Sequence, residues 1–345
     1  MDKKERFYAT INREKVDKLC WWLGMPTVEA LPGLFKYFKV KDFTGLKMAV
    51  NDDIWAVDVP YENGTTNAIS MAFDFAKEDQ KLSYSERTLT SPGFFEDYED
   101  EEDFEKFDKW PEPEKYIHKE SCRAVLKKAP KGMPVMGVLW SAHFQDACAA
   151  FGMQDALIKM KIAPKLFKKV IDRITEFYLR ANEIFFEYTK GMLDAVLIGN
   201  DFGTQTGLIV SPDDLREFVF DGTKKIIEQA HSYGVKVVHH SCGAISEIIP
   251  DLIECGADVI HPIQALAKGM EPDKLYKQFG DKVSFAGGVD AQYLLVNGSV
   301  EEVKDKVAQL REIFSSGLIV SPSHEAILPD ISPENIRAIA EAMKN

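Results

Sequence analysis

A chain of 345 residues, 45% of them hydrophobic, is long enough to bury the core of one large barrel or of two ordinary domains. Its formal charge of -13 argues against a nucleic-acid partner, and its five scattered cysteines fit reduced thiols in a cytosol better than a disulfide framework. No stretch approaches the roughly 18 apolar residues of a membrane span, and the charged N-terminus lacks the apolar run of a signal peptide, so the expected location is cytoplasmic.

Up to about residue 115 the chain is irregular. "KMAVNDDIWAVDVPYENG" predicts a hairpin or an initial strand, and Thr65 to Trp110 an excursion from the main fold. Inside that excursion the acidic run Phe94 to Asp108 reads as a solvated loop or helix edge. From about residue 116 the pattern sharpens. "MPVMGVLWSAHFQDACAAFG" predicts a strand turning into a helix, and "APKLFKKVIDRITEFYLRANEIFFEYTKG" a long amphipathic helix or helix pair. Beyond Asp194 short strands alternate with helices. The strands are "MLDAVLIG", "VKVVHHSCG", "ADVIHPIQ", "KVSFAGGVD" and "LIVSPSHEAI". One helix is expected from Ser211, its N-cap, to Gly234, its stop. Strands that are apolar on both faces and separated by helices belong to a parallel sheet. Five such units in a row predict an α/β fold of the (β/α)8 TIM barrel type, a single domain over 1–345 with an irregular N-terminal extension.

In such a barrel the chemistry lies on the loops after the strands. Polar residues collect there: Asn200, Asp201, Thr204 and Gln205; His239, His240 and Cys242; His261 and Gln264; Asp290 and Gln292; His324 and Glu325. His240 and Cys242 are two residues apart, which on an extended segment puts both side chains on one side. Imidazole and thiolate are zinc ligands, and His324 on another strand end is the candidate third, with water or substrate as a fourth. The alternative is a buried Cys242 packed as a small hydrophobe beside hydrogen-bonded histidines. His239, one residue out of phase, reads as structural, and Cys255 as packing. Asp201 and Asp290 are candidate catalytic carboxylates or else loop caps.

The segments "NDFGTQTGLIVSP", "VVHHSCGAISEIIPDLIECGADVIHPIQ", "VSFAGGVDAQ" and "GLIVSPSHEAILPDISPENI" resemble the uroporphyrinogen decarboxylase superfamily, and within it the corrinoid-dependent methyltransferase branch. "FDKWPEPEKY" is similar to a segment of the same branch. The arginine-rich motif of the decarboxylases is missing: only Arg6 and Arg13 lie near the N-terminus. The resemblance implies a zinc site using His-x-Cys and a distant cysteine. His240 and Cys242 match the first two positions, and His324 stands where the third is expected. It further implies a zinc-dependent methyltransferase that moves a methyl group between a small methylated substrate or a thiol and a corrinoid (cobalamin). The chain has no corrinoid motif of its own, so a separate corrinoid protein would present that cofactor. Asp201, Gln205, Gln264 and Asp290 would line the mouth and orient the substrate. Two rival readings stand beside it: a metal-free decarboxylase or lyase with Asp201 or Asp290 as acid, and a non-catalytic corrinoid or tetrapyrrole carrier. A monomer or homodimer is expected.

Overall fold

The computed structural model describes residues 1–60 and 93–344. Among them are ten strands: β1 (Cys20–Trp21), β2 (Met25–Pro26), β3 (Trp55–Asp58), β4 (Val135–Trp140), β5 (Ala195–Gly199), β6 (Lys236–His240), β7 (Val259–Ile263), β8 (Ser284–Val289), β9 (Leu318–Pro322) and β10 (Ala326–Ile327). Eight form one parallel sheet in the order β1-β9-β8-β7-β6-β5-β4-β3. From β3 to β9 each strand pairs with the next, the arrangement that repeated strand–helix–strand crossovers generate. The two edge strands meet, because the Asp53 N–H donates to the Trp21 carbonyl (2.9 Å) and the Trp21 N–H to the Asp53 carboxylate (3.0 Å). The sheet thus curls into the β/α barrel that the strand–helix alternation predicts.

Alternate residues of each strand fill the interior: Cys20, Ile54, Ala56, Met136, Val138, Ala195, Leu197, Val238, Val259, Ala286 and Ile319. Helix α1 (Lys3–Ile11) closes the floor. Asp2 and Glu5 form its capping box, and Phe7 and Ile11, one turn apart, join the interior cluster. Its polar groups grip the strand beginnings. Tyr8 donates to Asp194 (2.8 Å), Arg6 donates to Asp17 and Asp53, and the Ser284 hydroxyl donates to the carbonyls of Thr10 and Ile11. Asp53, Asp194 and Asp258 just precede β3, β5 and β7. Each accepts a backbone N–H from the adjoining strand, from Trp21, Val135 and Val237 respectively.

The structure departs from the sequence expectations in three places. Lys47 to Ala49 end a helix (Phe43–Ala49), and β3 pairs in parallel with β4, so the strand alternative holds there rather than a hairpin. The rest of that stretch and most of the expected excursion, residues 61–92, lie outside the described residues. The acidic run is not merely solvated. Its phenylalanines Phe95 and Phe104 are buried and pack with Phe107, Trp110 and Phe151, while most of the carboxylates face outward. The helix expected from Ser211 to Gly234 breaks at Val219 into Pro212–Phe218 and Phe220–Ser232. The buried His143 ring meets the Val219 carbonyl there (3.1 Å), beside the Thr223 N–H that also bonds to it. "APKLFKKVIDRITEFYLRANEIFFEYTKG" is one continuous helix, Pro164–Thr189. No helix of the described residues is long and apolar enough to cross a membrane.

Candidate functional site

Period-two alternation sends His240 of β6 and His261 of β7 inward, at the C-terminal mouth. The two are register partners on neighbouring parallel strands. Their Nδ1 atoms lie 2.9 Å apart. Outward-facing His239 is stacked on Phe202 in the helix layer, and burial drives its pKa down to about 3, so it is a neutral packing residue. Trp140 packs its edge against His240, and Trp22 tilts against His261. Trp140 and Ser141 both have left-handed backbone (φ 55° and 53°), a strained turn of the sort found where a fold over-determines a site.

Two glycines make the approach possible. A Cβ at Gly199, the last residue of β5, would stand 2.0 Å from the His240 carbonyl. Gly243 has φ +87° and turns the chain back directly after Cys242. Its N–H donates to the Gln264 side-chain oxygen (2.8 Å). The His324–Glu325 turn is held by the small parallel pair of β2 and β10, and by the Met25 N–H, which donates to the Glu325 carbonyl.

Around His240 the polar atoms fall on two sides. Nε2 faces Asp201 Oδ1 (3.2 Å) and Cys242 Sγ (3.4 Å). Nδ1 faces His261 and, at 3.4 Å, Glu325 Oε2. His324 Nδ1 accepts the Ala326 N–H (3.0 Å), and its ring lies 6.3 Å from that of His240. Glu325 Oε2 is within ion-pair distance of both His240 and His324, yet no hydrogen bond is formed to it, and buried His261 Nε2 is likewise unpartnered.

Burial alone would strip the proton from His240. Glu325, Asp201 and Cys242 outweigh burial and hold its pKa well above the ordinary imidazole value. His261 goes the other way, because burial and the charge on His240 both favour its neutral form. The Nδ1–Nδ1 contact is therefore read as His240 donating and His261 accepting. Burial pushes the Cys242 thiol up, but bonds to His240 and His324 win and hold it below the usual thiol value. Burial likewise works against the Asp201 carboxylate, and His240 and the Cys242 N–H keep it well below the carboxylate range.

Two sets of three donor atoms each lie within 4.8 Å of one another: Asp201–His240–Cys242, and His240–His261–Glu325. Zinc bonds of about 2.0–2.3 Å place tetrahedral ligands roughly 3.3–3.6 Å apart, and the first set's 3.2 and 3.4 Å separations are close to that. Asp201 and Cys242 are only part-buried, so this set opens toward the mouth, whereas the second set is buried.

Of the residues singled out from sequence, His240, Cys242, Asp201 and His324 come together. Gln264 sits beside them, tying down the Gly243 turn. Gln205 lies farther out in an exposed turn, where its carbonyl accepts the Lys268 N–H. Asp290 spends its carboxylate on the backbone N–H groups of Gln292, Tyr293 and Leu294, which is the loop-capping alternative. His261 and Glu325 stood among the strand-end residues but were not chosen for the site; the register that joins His261 to His240 is what brings it in.

Fold and site define a parallel β/α barrel whose mouth carries a cluster of imidazole, thiol and carboxylate groups. The family model "Uroporphyrinogen decarboxylase (URO-D)" matches residues 2–345, and the chain belongs to that family. The chain is 26% identical over 190 residues to a uroporphyrinogen decarboxylase of Chlorobaculum tepidum, covering 53% of this chain and 49% of the relative. It is 24% identical over 189 residues to the methylcobamide:CoM methyltransferase MtaA of Methanosarcina barkeri, covering 52% of each. The chain thus spans about half the length of the curated relatives it matches. In fold it is similar to a methyltransferase from Methanosarcina mazei, with a TM-score of 0.68 and 17% identity over 100% of this chain and 98% of the other.

Proposed function

We propose that the protein is a zinc-dependent methyltransferase that moves a methyl group between a small methylated substrate or a thiol and a corrinoid carried by a partner protein. The observation that carries this reading is the convergence of His240 Nε2, Cys242 Sγ and a third donor at the open mouth of the barrel. His240 and Cys242 would hold the metal, with the third side chain drawn from Asp201 and His324. Bound there, zinc would supply Lewis acidity, lowering the pKa of a thiol or polarising a leaving oxygen.

The chain's own residues do the rest. His261 accepts a hydrogen bond from His240 Nδ1–H, so Nε2, which faces Cys242, is the nitrogen that a metal would take in place of a proton. Cys242 is kept toward the thiolate by the bonds from His240 and His324. Asp201 is anchored through its backbone N–H by Gln145 and through Oδ1 by the Cys242 N–H. Gln264 fixes the turn that carries Cys242. The donor set also needs a cation. Among the described residues, the ion-pair partners of Asp201 and Glu325 are histidines, and neither carboxylate pairs with a lysine or arginine.

A second reading has one observation in its favour, the uroporphyrinogen decarboxylase relatives of equal identity. Two others weigh against it. Arg6 is spent on Asp17 and Asp53 at the floor, opposite the mouth, so it is not available to a polycarboxylate there. Asp201, held well below the carboxylate range, is a poor proton donor.

The test is demethylation of methylcobalamin by a thiol, followed by the visible spectrum of the cobalamin. In that reaction the sulfur takes the methyl group and the carbon–cobalt electron pair returns to cobalt. Zinc-dependent turnover that is absent in Cys242→Ala is expected. Activity on a uroporphyrinogen without metal, and none on methylcobalamin, would overturn the proposal.

A further inference from the structure

We infer that the third metal ligand of this chain is Asp201, and that His324 supports the thiolate without binding the metal. The inference rests on the zinc reading above and assigns roles within it.

The geometry around His324 limits what its ring can offer. The Ala326 N–H points at Nδ1 from 3.0 Å, so that nitrogen is an acceptor. A neutral imidazole accepting at one nitrogen carries its proton on the other. Nε2 is then an N–H donor with no lone pair for a metal, the form in which His324 helps to hold the Cys242 thiol below its usual value. The Ala326 N–H is itself fixed, because Ala326 begins the strand that pairs with Met25. Turning His324 into a ligand would leave that backbone donor without its acceptor.

Asp201 has the opposite character. Its Oδ1 lies 3.2 Å from His240 Nε2 and accepts the Cys242 backbone N–H at 2.9 Å. Its Oδ2 accepts from the Gln145 amide (3.3 Å), and the Gln145 oxygen accepts the Asp201 N–H (3.1 Å). The carboxylate is therefore oriented before any metal arrives. It sits on the β5 end that Gly199 lets close upon His240. A set of one carboxylate, one imidazole and one thiolate neutralises a divalent cation, as two thiolates and an imidazole would, but with a harder oxygen donor.

The experiment uses the full chain, tag-free and loaded with zinc. Zinc per chain is measured, and zinc affinity is read by competition with a chelating dye. The variants are Asp201→Ala, Asp201→His and His324→Ala, each checked for folding by circular dichroism. Asp201→Ala is expected to lose stoichiometric zinc, and Asp201→His, which keeps a donor, to recover it. His324→Ala is expected to keep zinc with affinity lowered by about tenfold, the size of a supporting-residue effect. With cobalt in place of zinc, His324→Ala should shift the thiolate-to-cobalt absorption while keeping the tetrahedral ligand-field bands.

Zinc retained in Asp201→Ala at wild-type affinity would overturn the assignment. So would zinc lost in His324→Ala but not in Asp201→Ala. A wild type that binds no zinc would overturn the methyltransferase reading along with it, so the two failures can be told apart.

Discussion

The two ends of the barrel treat charge in opposite ways. At the floor, Arg6, Lys47, Asp52, Asp53, Asp194 and Asp258 are paired with one another, with α1 or with strand N–H groups. At the mouth, Asp201, Cys242 and Glu325 crowd one buried imidazole, with Glu325 Oε2 and His261 Nε2 left unpartnered. Buried polar groups are ordinarily satisfied, and a cluster that is not is a candidate binding site. The floor is where this barrel is held together, and the mouth is where it is held ready.

Breaking a floor pair is the harshest test of that contrast. Lys47 and Asp52 are fully buried, and Lys47→Met removes the ammonium partner and leaves the carboxylate only the Leu23 and Ile54 N–H groups. A loss of about 3–5 kcal/mol in denaturant unfolding is expected. A loss under about 1 kcal/mol would place the floor on the same footing as ordinary surface pairs.

The mouth predicts a gain that depends on metal. Zinc at a hundred times its dissociation constant should stabilise the wild type by about 2.7 kcal/mol, and chelation should remove that gain. Cys242→Ala should show no zinc-dependent rise in Tm. Equal responses in the two proteins would separate zinc from Cys242.

The smallest effect lies in pH. Burial works against the Asp258 carboxylate, but His231 and Lys236 win and lower its pKa. A lowered folded-state pKa gives stability that is complete above the unfolded value of about 3.9 and is lost as pH falls through the folded one. Asp258→Asn should therefore flatten the acid limb of the stability–pH curve. An unchanged acid limb would remove Asp258 from the floor network.

How much of this could be read in the sequence differs along the chain. Beyond Asp194 the strand–helix alternation is regular, and each strand predicted there exists. β1 and β2 have two residues each, too few for any periodicity to register, yet Cys20 and Trp22 help build the interior. The break at Val219 faces His143, a neighbour distant in sequence. At the site, His240 and Cys242 were legible because their spacing is local. The pairing of His240 with His261 depends on cross-strand register, which a single sequence does not display. Asp290 illustrates the reverse: an Asp at a strand end looks catalytic until its three backbone donors are seen.

The central claim is that the mouth holds a metal ion on His240 and Cys242. Elemental analysis of tag-free wild type beside Cys242→Ala tests it most directly. The account predicts about one zinc per wild-type chain and none in the variant. A wild type without zinc after reconstitution, or a Cys242→Ala that keeps it, would contradict the claim.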